Sequence, residues 1–225
     1  MKTCVCVICF KPNPIWMNFL KTFTHYDVVV VADDNSVRHP GCVQVSNTTC
    51  AAHGFSDTSF TLKKKISGWD KALFYFAHQN YDQVWFLEDD VFLHDEAALM
   101  AIDREYSGDF LSNTMSMNPG NEKSWHWPVI TIRIPPPYYC AMCCAVRVSR
   151  RLLWKVKEYA RVYRTLFFLE ALLPTLSKSL VAQSPPQLAN ILYQGEYPEM
   201  NRSFLYHPVK NIEKHAEFRN KNNYL

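Results

Sequence analysis

The chain has 225 residues, 48% hydrophobic and 20% charged, which excludes a disordered chain and suits one large domain or two small ones. The net charge of +3 is too small and too evenly spread to point to nucleic acid. The six glycines, at positions 41, 54, 68, 108, 120 and 195, are too far apart to write a dinucleotide fingerprint or a P-loop, so a bound nucleotide would need its phosphates held another way.

In chain order, residues 3–10 read as a buried strand and 14–23 as a helix, with Pro14 suited to its first turn. A valine-rich strand from Asp27 to Ala32 ends on Asp33-Asp34-Asn35-Ser36, and Cys42 to Val45 reads as a short strand. Helical spacing from Trp69 to His78 precedes a strand from Gln83 to Leu87 that ends on Glu88-Asp89-Asp90. A helix from Asp95 to Tyr106 and a short strand near Asp109 to Leu111 follow. Strands alternating with helices imply right-handed crossovers and a mainly parallel sheet.

The second half differs in texture. Asn118 to Pro137 holds five of the 13 prolines and two tryptophans and reads as irregular. Tyr138 to Val146 reads as one strand leading into a basic amphipathic helix, Ser149 to Tyr163. Helices near Leu166–Ser177 and Pro186–Tyr193, a short strand at Phe204–Tyr206 and a polar tail from Asn211, loosely held, complete the reading. With no internal repeat and no linker, one α/β domain is expected over 1–225, in two halves (1–112 and 113–210) and a tail (211–225).

Eight cysteines raise disulfides, or zinc through Cys6-x-x-Cys9 and Cys140-x-x-Cys143. Both pairs lie in apolar runs, and on a strand residues three apart face opposite ways, so buried reduced thiols are expected. That favours a reducing compartment. The N-terminal apolar core is about seven residues long with no small-residue cleavage site, unlike a signal peptide. Glu170, Pro174 and Lys178 interrupt the other apolar stretch, so no transmembrane segment is expected. A soluble, cytoplasmic protein is the expectation, and the sequons at Asn47 and Asn201 are read as incidental.

In an open parallel sheet, ligands bind at the carboxyl ends of the strands, where both acidic clusters fall. Three consecutive carboxylates between Val84-Trp85-Phe86-Leu87 and Val91-Phe92-Leu93 repel one another and resist desolvation unless a cation offsets them. Mg²⁺ or Mn²⁺, with oxygen ligands, is the natural partner.

Glu88-Asp89-Asp90 on a hydrophobic strand, with Asp33-Asp34 at an upstream strand end, resembles the DxD motif of glycosyltransferases with the GT-A fold. Ser67 to Leu73, followed by Tyr81 to Asp90, is similar to the helix-then-DxD block of that fold. The similarity covers roughly residues 3–112, and the remainder only by order of elements. It implies a single GT-A-like domain and a metal-dependent hexosyl- or pentosyltransferase. Such an enzyme moves a sugar from a nucleoside-diphosphate sugar (UDP favoured, GDP or dTDP open) to a carbohydrate hydroxyl, with inversion expected. It further implies that the metal stabilises charge on the leaving nucleoside diphosphate. On this basis Asp90 is the direct metal ligand, and Glu88 binds metal or ribose. Asp89 points away if the strand continues regularly. Asp33 or Asp34 holds base and ribose, and Asp70 a ribose or sugar hydroxyl. His207 is the late histidine ligand, and Lys210 or the run Lys63-Lys64-Lys65 contacts phosphate. Glu170 is the expected catalytic base, with Asp109 next. Trp125 and Trp127 form an acceptor platform.

Three alternatives stand beside this reading. A metal-dependent phosphohydrolase of the haloacid-dehalogenase pattern needs an aspartate pair on its first strand, and Cys4 to Phe10 has none. A receiver-type signalling module would place its acidic pair on the first strand in a chain near half this length. A non-catalytic sugar- or donor-binding relic keeps the fold alone, which the presence of Glu88 and Asp90 argues against.

Overall fold

A computed structural model describes residues 1–59, 65–197 and 199–221. In chain order the first half holds β1 (Thr3–Cys9), α1 (Pro14–Leu20), β2 (Asp27–Ala32), α2 (Asn47–Ala52), α3 (Gly68–Phe76), β3 (Gln83–Glu88), α4 (Glu96–Glu105) and β4 (Phe110–Leu111). The second half holds β5 (Ser116–Asn118), β6 (Tyr138–Cys140), β7 (Ala145–Ser149), α5 (Arg150–Tyr163), α6 (Leu169–Leu176), β8 (Ala182–Gln183), β9 (Asn190–Ile191), β10 (Tyr206–His207) and α7 (Ile212–Lys221).

Six strands form a central sheet in the order β2-β1-β3-β7-β4-β8. All run parallel except β7, which is antiparallel to both neighbours. The fold is therefore mixed α/β with a mostly parallel sheet, as expected. The alternation along β1 explains its layers. Cys4, Cys6 and Ile8 pack with buried residues of α3, α5 and α6, while Val5, Val7 and Cys9 pack with α1 and α4. Both faces of the sheet are covered, so its strands read as continuous apolar runs.

Gly68 is the one glycine that bears on the site. A β-carbon there would lie 2.8 Å from Ile8 Cγ2, so its absence lets the start of α3 press against the end of β1. Asp70, in the first turn of α3, accepts hydrogen bonds from the Ser67 backbone N–H at 2.8 Å and its hydroxyl at 2.9 Å.

Four expectations need correction. Cys42–Val45 makes only a single bridge, between Val43 and Val31, and the helix α2 beyond it was not anticipated. The run 138–146 splits into β6, paired with β5, and β7 in the central sheet. An apolar run reports burial, not which sheet buries it. Residues 186–193 form a 3₁₀ turn at Pro186–Leu188 and then β9, not a helix. The polar tail holds α7, seated on α1 through His215, whose ring lies 5.7 Å from that of Trp16, and Arg219, 3.4 Å from the centre of the Phe19 ring. Histidine and arginine supply the buried face, so hydrophobic periodicity could not reveal it. Residues 222–225 of that tail lie outside the described residues.

Among the described residues, no helix is long and apolar enough to cross a membrane. All eight cysteines are free, and burial pushes Cys4 and Cys9 up to about 12.

Candidate functional site

The carboxyl ends of β1, β2 and β3 lie side by side, with Ile8 opposite Glu88 and Cys9 opposite Ala32. Both acidic clusters therefore emerge at one edge of the sheet. The first two turns of α3 run along it: Trp69 Nε1 donates to Glu88 Oε1 at 2.6 Å, and Lys71 Nζ sits 2.6 Å from Asp33 Oδ1. Lys71 is almost fully buried, so its charge is committed to Asp33.

β10 brings the late histidine to the same place. Tyr206 exchanges two backbone hydrogen bonds with Phe92, and the Val209 N–H donates to the Asp90 carbonyl at 2.7 Å. These bonds hold His207 over the acidic turn, with Nε2 at 3.3 Å from Asp90 Oδ1 and 3.9 Å from Glu88 Oε2. His207 Nδ1 lies 2.5 Å from the Leu192 carbonyl, which can only accept. In the neutral ring the proton therefore sits on Nδ1, which leaves the Nε2 lone pair toward the carboxylates; in the charged ring Nε2 carries a proton toward Asp90. Burial works to lower the His207 pKa, but Asp90 and Glu88 outweigh it and the pKa lies above the ordinary value.

Asp90 Oδ1 is buried and, among the described residues, accepts no well-formed hydrogen bond, its charged neighbour being His207 Nε2 at 3.3 Å. Buried polar atoms are seldom left so, because the missing bond costs about 1–3 kcal/mol. Burial and Asp90 raise the Glu88 carboxyl, and burial with its acidic neighbours pushes Asp89 up to about 6. Glu88 and Asp90 are the oxygen donors and His207 the nitrogen donor that a divalent cation accepts, so the residues present fit one. Cys144 was not foreseen: its sulfur, a Glu88 oxygen and a His207 nitrogen all lie within 4.8 Å of one another. It enters through the β3–β7 register, which no local sequence signal states.

The chain leaves the strand at Glu88 and turns, and Asp89, counted from sequence among the donor-side residues, instead lines a small pocket with Val7, Pro12 and Trp16. Asp33 and Asp34 line a cleft of about 460 Å³ with Lys65, Lys71, Asn35 and Asn47. Hydrogen bonds from Ser36 hold the Asp34 carboxyl down to about 2. Lys63 and Lys64 lie outside the described residues. Lys210 is exposed, two residues past Pro208.

Glu170 lies in the first turn of α6, half-buried, and its backbone carbonyl accepts from the Ala141 N–H at 3.0 Å. Burial, with Glu88 adding to it, pushes its carboxyl up to about 7, so the fields of Glu88 and His207 both reach it. Beside it Phe168 joins an aromatic cluster: Trp125 lies 5.5 Å from Phe168 and 4.9 Å from Trp127, which stacks at 6.1 Å on Tyr138. Phe168 and Tyr138 were not singled out from sequence. Trp125 is 39% exposed and has a positive φ of 52°, a conformation a bulky side chain seldom adopts.

Two expected residues are not brought to the site. Asp109 precedes β4, at the opposite edge of the sheet. There it accepts from Arg151 Nε at 2.8 Å, Ser149 Oγ at 2.7 Å and the Val181 N–H at 3.2 Å. With its oxygens occupied it is a structural anchor. Asp70 is fully buried and committed to capping α3, so no sugar hydroxyl reaches it.

No family model and no curated protein matches this chain. Among solved structures, the galactosyltransferase LgtC in complex with donor and acceptor sugar analogues is similar over 97% of this chain and 95% of its own, at 9% identity and a TM-score of 0.47. An active-site mutant of LgtC covers the same shares at 10% identity and a TM-score of 0.48. A197 from STIV is similar over 82% of each chain, at 14% identity and a TM-score of 0.40. At these levels the functional reading rests on the chain's own geometry.

Proposed function

We propose that this protein is a glycosyltransferase of the GT-A type, transferring a sugar from a nucleoside-diphosphate sugar to a carbohydrate hydroxyl with inversion, and dependent on a divalent metal. The observation that carries the reading is the buried, unpartnered Asp90 Oδ1 beside His207 Nε2 and Glu88. Three groups that can bind a cation converge there, and among the described residues no lysine or arginine forms an ion pair with Glu88 or Asp90, at the strand ends where an α/β sheet takes its ligand.

In this reading Glu88, Asp90 and His207 hold Mn²⁺ or Mg²⁺, which when bound supplies positive charge to the leaving diphosphate. The cleft beside Asp33, Asp34 and Lys65 receives the nucleoside, with a uridine favoured; Lys65 and Lys210 are the phosphate contacts of this reading. Trp125, Trp127 and Phe168 offer ring faces to the acceptor sugar. Glu170, with a pKa near 7, takes the proton of the acceptor hydroxyl. The hydroxyl oxygen then bonds to the anomeric carbon as the bond from that carbon to the diphosphate breaks.

A thermal-shift screen of nucleoside diphosphates and their sugars, with and without Mn²⁺, tests the reading. A ligand at 100-fold over its Kd raises stability by about 2.7 kcal/mol. The expected result is a shift for one nucleotide family only with metal present. Metal-independent shifts, or none with any nucleotide, would sink the proposal.

A further inference from the structure

We infer that Cys144 is a ligand of the metal centre, and that its sulfur makes the centre select thiophilic first-row cations such as Zn²⁺ and Co²⁺ over Mg²⁺. This rests on the metal-centre reading above and goes beyond it in the donor set and the class of ion.

The argument begins with strand register. β3 and β7 are antiparallel with Leu87 opposite Ala145, so the next pair outward is Glu88 with Cys144, and the Glu88 N–H donates to the Cys144 carbonyl at 2.9 Å. Residues directly opposite in such a pair hold their β-carbons about 4.5–5.5 Å apart. The pairing that carries Glu88 to the sheet edge therefore carries the thiol with it. β10 adds the imidazole, and the three donor atoms come within 4.8 Å of one another. Among the described residues this is the one group of three or more histidine, cysteine or acidic side chains so arranged.

Burial and hydrogen-bond geometry point the same way. Cys144 is 8% and His207 7% exposed, so both are more than nine-tenths buried. His207 directs its lone pair into the cluster because its other nitrogen is tied to the Leu192 carbonyl. Asp90 Oδ1 waits unpartnered at 3.3 Å from that nitrogen. The fully buried cysteines, Cys4, Cys6, Cys50 and Cys143, lie in the apolar core and, among the described residues, join no such cluster.

The donor set then selects the ion. Mg²⁺ demands oxygen ligands in a near-octahedral shell, whereas sulfur and imidazole suit zinc and its neighbours. On binding, the Cys144 S–H bond breaks, its proton passes to solvent and a sulfur–metal bond forms, with no change of oxidation state.

The test is titration of the metal-free protein with Co²⁺, followed by absorption. We expect a thiolate-to-cobalt charge-transfer band in the near ultraviolet, removed by Zn²⁺ and untouched by excess Mg²⁺. Cys144→Ser should lose the band, release one proton fewer per cobalt, and bind cobalt at least roughly 10–100-fold more weakly through the remaining ligands. Cys144→Ala is a parallel variant: loss of the band in a folded cysteine variant that still binds cobalt supports the assignment, and persistence in both cysteine variants overturns it. Equal cobalt spectra and affinities in wild type and Cys144→Ser would remove Cys144 yet leave the metal centre. No binding of any divalent ion by the wild type would overturn both readings.

Discussion

Two sets of acids on this sheet are equipped in opposite ways. Away from the carboxyl edge, Asp109 is clasped by the Arg151 guanidinium, Ser149 and Val181. Asp103 accepts from Arg147, from Trp85 Nε1 at 3.1 Å and from Tyr26 Oη at 2.8 Å. Burial works to raise the Asp109 carboxyl, but its donors outweigh it and the pKa falls below the ordinary range. At the carboxyl edge Glu88, Asp89 and Glu170 are all raised, burial being the largest cause in each. The same residue type is thus held as a structural anchor where arginine and neutral donors clasp it, and left with a raised pKa at Glu88, Asp89 and Glu170, where burial outweighs them.

Four experiments would break or sharpen that comparison. Glu170→Gln should lower transfer by about 10²–10⁴-fold while sparing donor binding, and wild-type activity should rise with pH through about 7. Because folded Glu170 holds its proton more tightly than an unfolded carboxylate, native stability should decline as pH rises from near 4.5 to about 7. The Gln variant should flatten that slope; unchanged activity and slope would place the base elsewhere.

Next in size, Asp103→Ala leaves the Arg147 guanidinium, 1% exposed, without its counter-charge. A loss of about 3–5 kcal/mol is expected in urea unfolding, with or without metal. A loss that metal restores would dissolve the distinction between the two acid sets.

Asp90→Asn should do the reverse. It removes a charge beside Glu88 and Asp89, so metal-free stability should hold or rise. The metal-linked gain, about 2.7 kcal/mol at 100-fold over Kd, should vanish. Calorimetry showing unchanged metal affinity would remove Asp90 from the centre. The smallest effect belongs to Trp125→Ala: acceptor affinity should weaken by about 0.5–1.5 kcal/mol with donor binding intact, read from acceptor KM. An unchanged KM would make the aromatic cluster a local core only.

Much of the first half was legible because its signals are local. Strands β1, β2 and β3 are apolar runs, the last two closed by acids, and α3 and α4 carry helical spacing, so the parallel core and the two acidic strand ends could be read directly. His207 was legible as a candidate from its place before a proline, but nothing local says that Tyr206 pairs with Phe92. Asp70 and Asp109 illustrate the converse failure. Both are acids near the start of an element, yet their role turns on partners, Ser67 in one case and Arg151 with Ser149 in the other, which burial makes decisive.

By itself, then, the sequence determined a mostly parallel α/β sheet, the strand ends at which its acids cluster, and the exclusion of a glycine-rich phosphate loop, since these follow from periodicity, strand ends and the spacing of six glycines. Only the tertiary structure decided which acids keep unmatched charge. Chain pairings far apart in sequence set Cys144 against Glu88, His207 above Asp90 and Arg151 beside Asp109. A carboxylate's chemistry depends on what surrounds it within a few ångströms, and those neighbours come from strand register and packing.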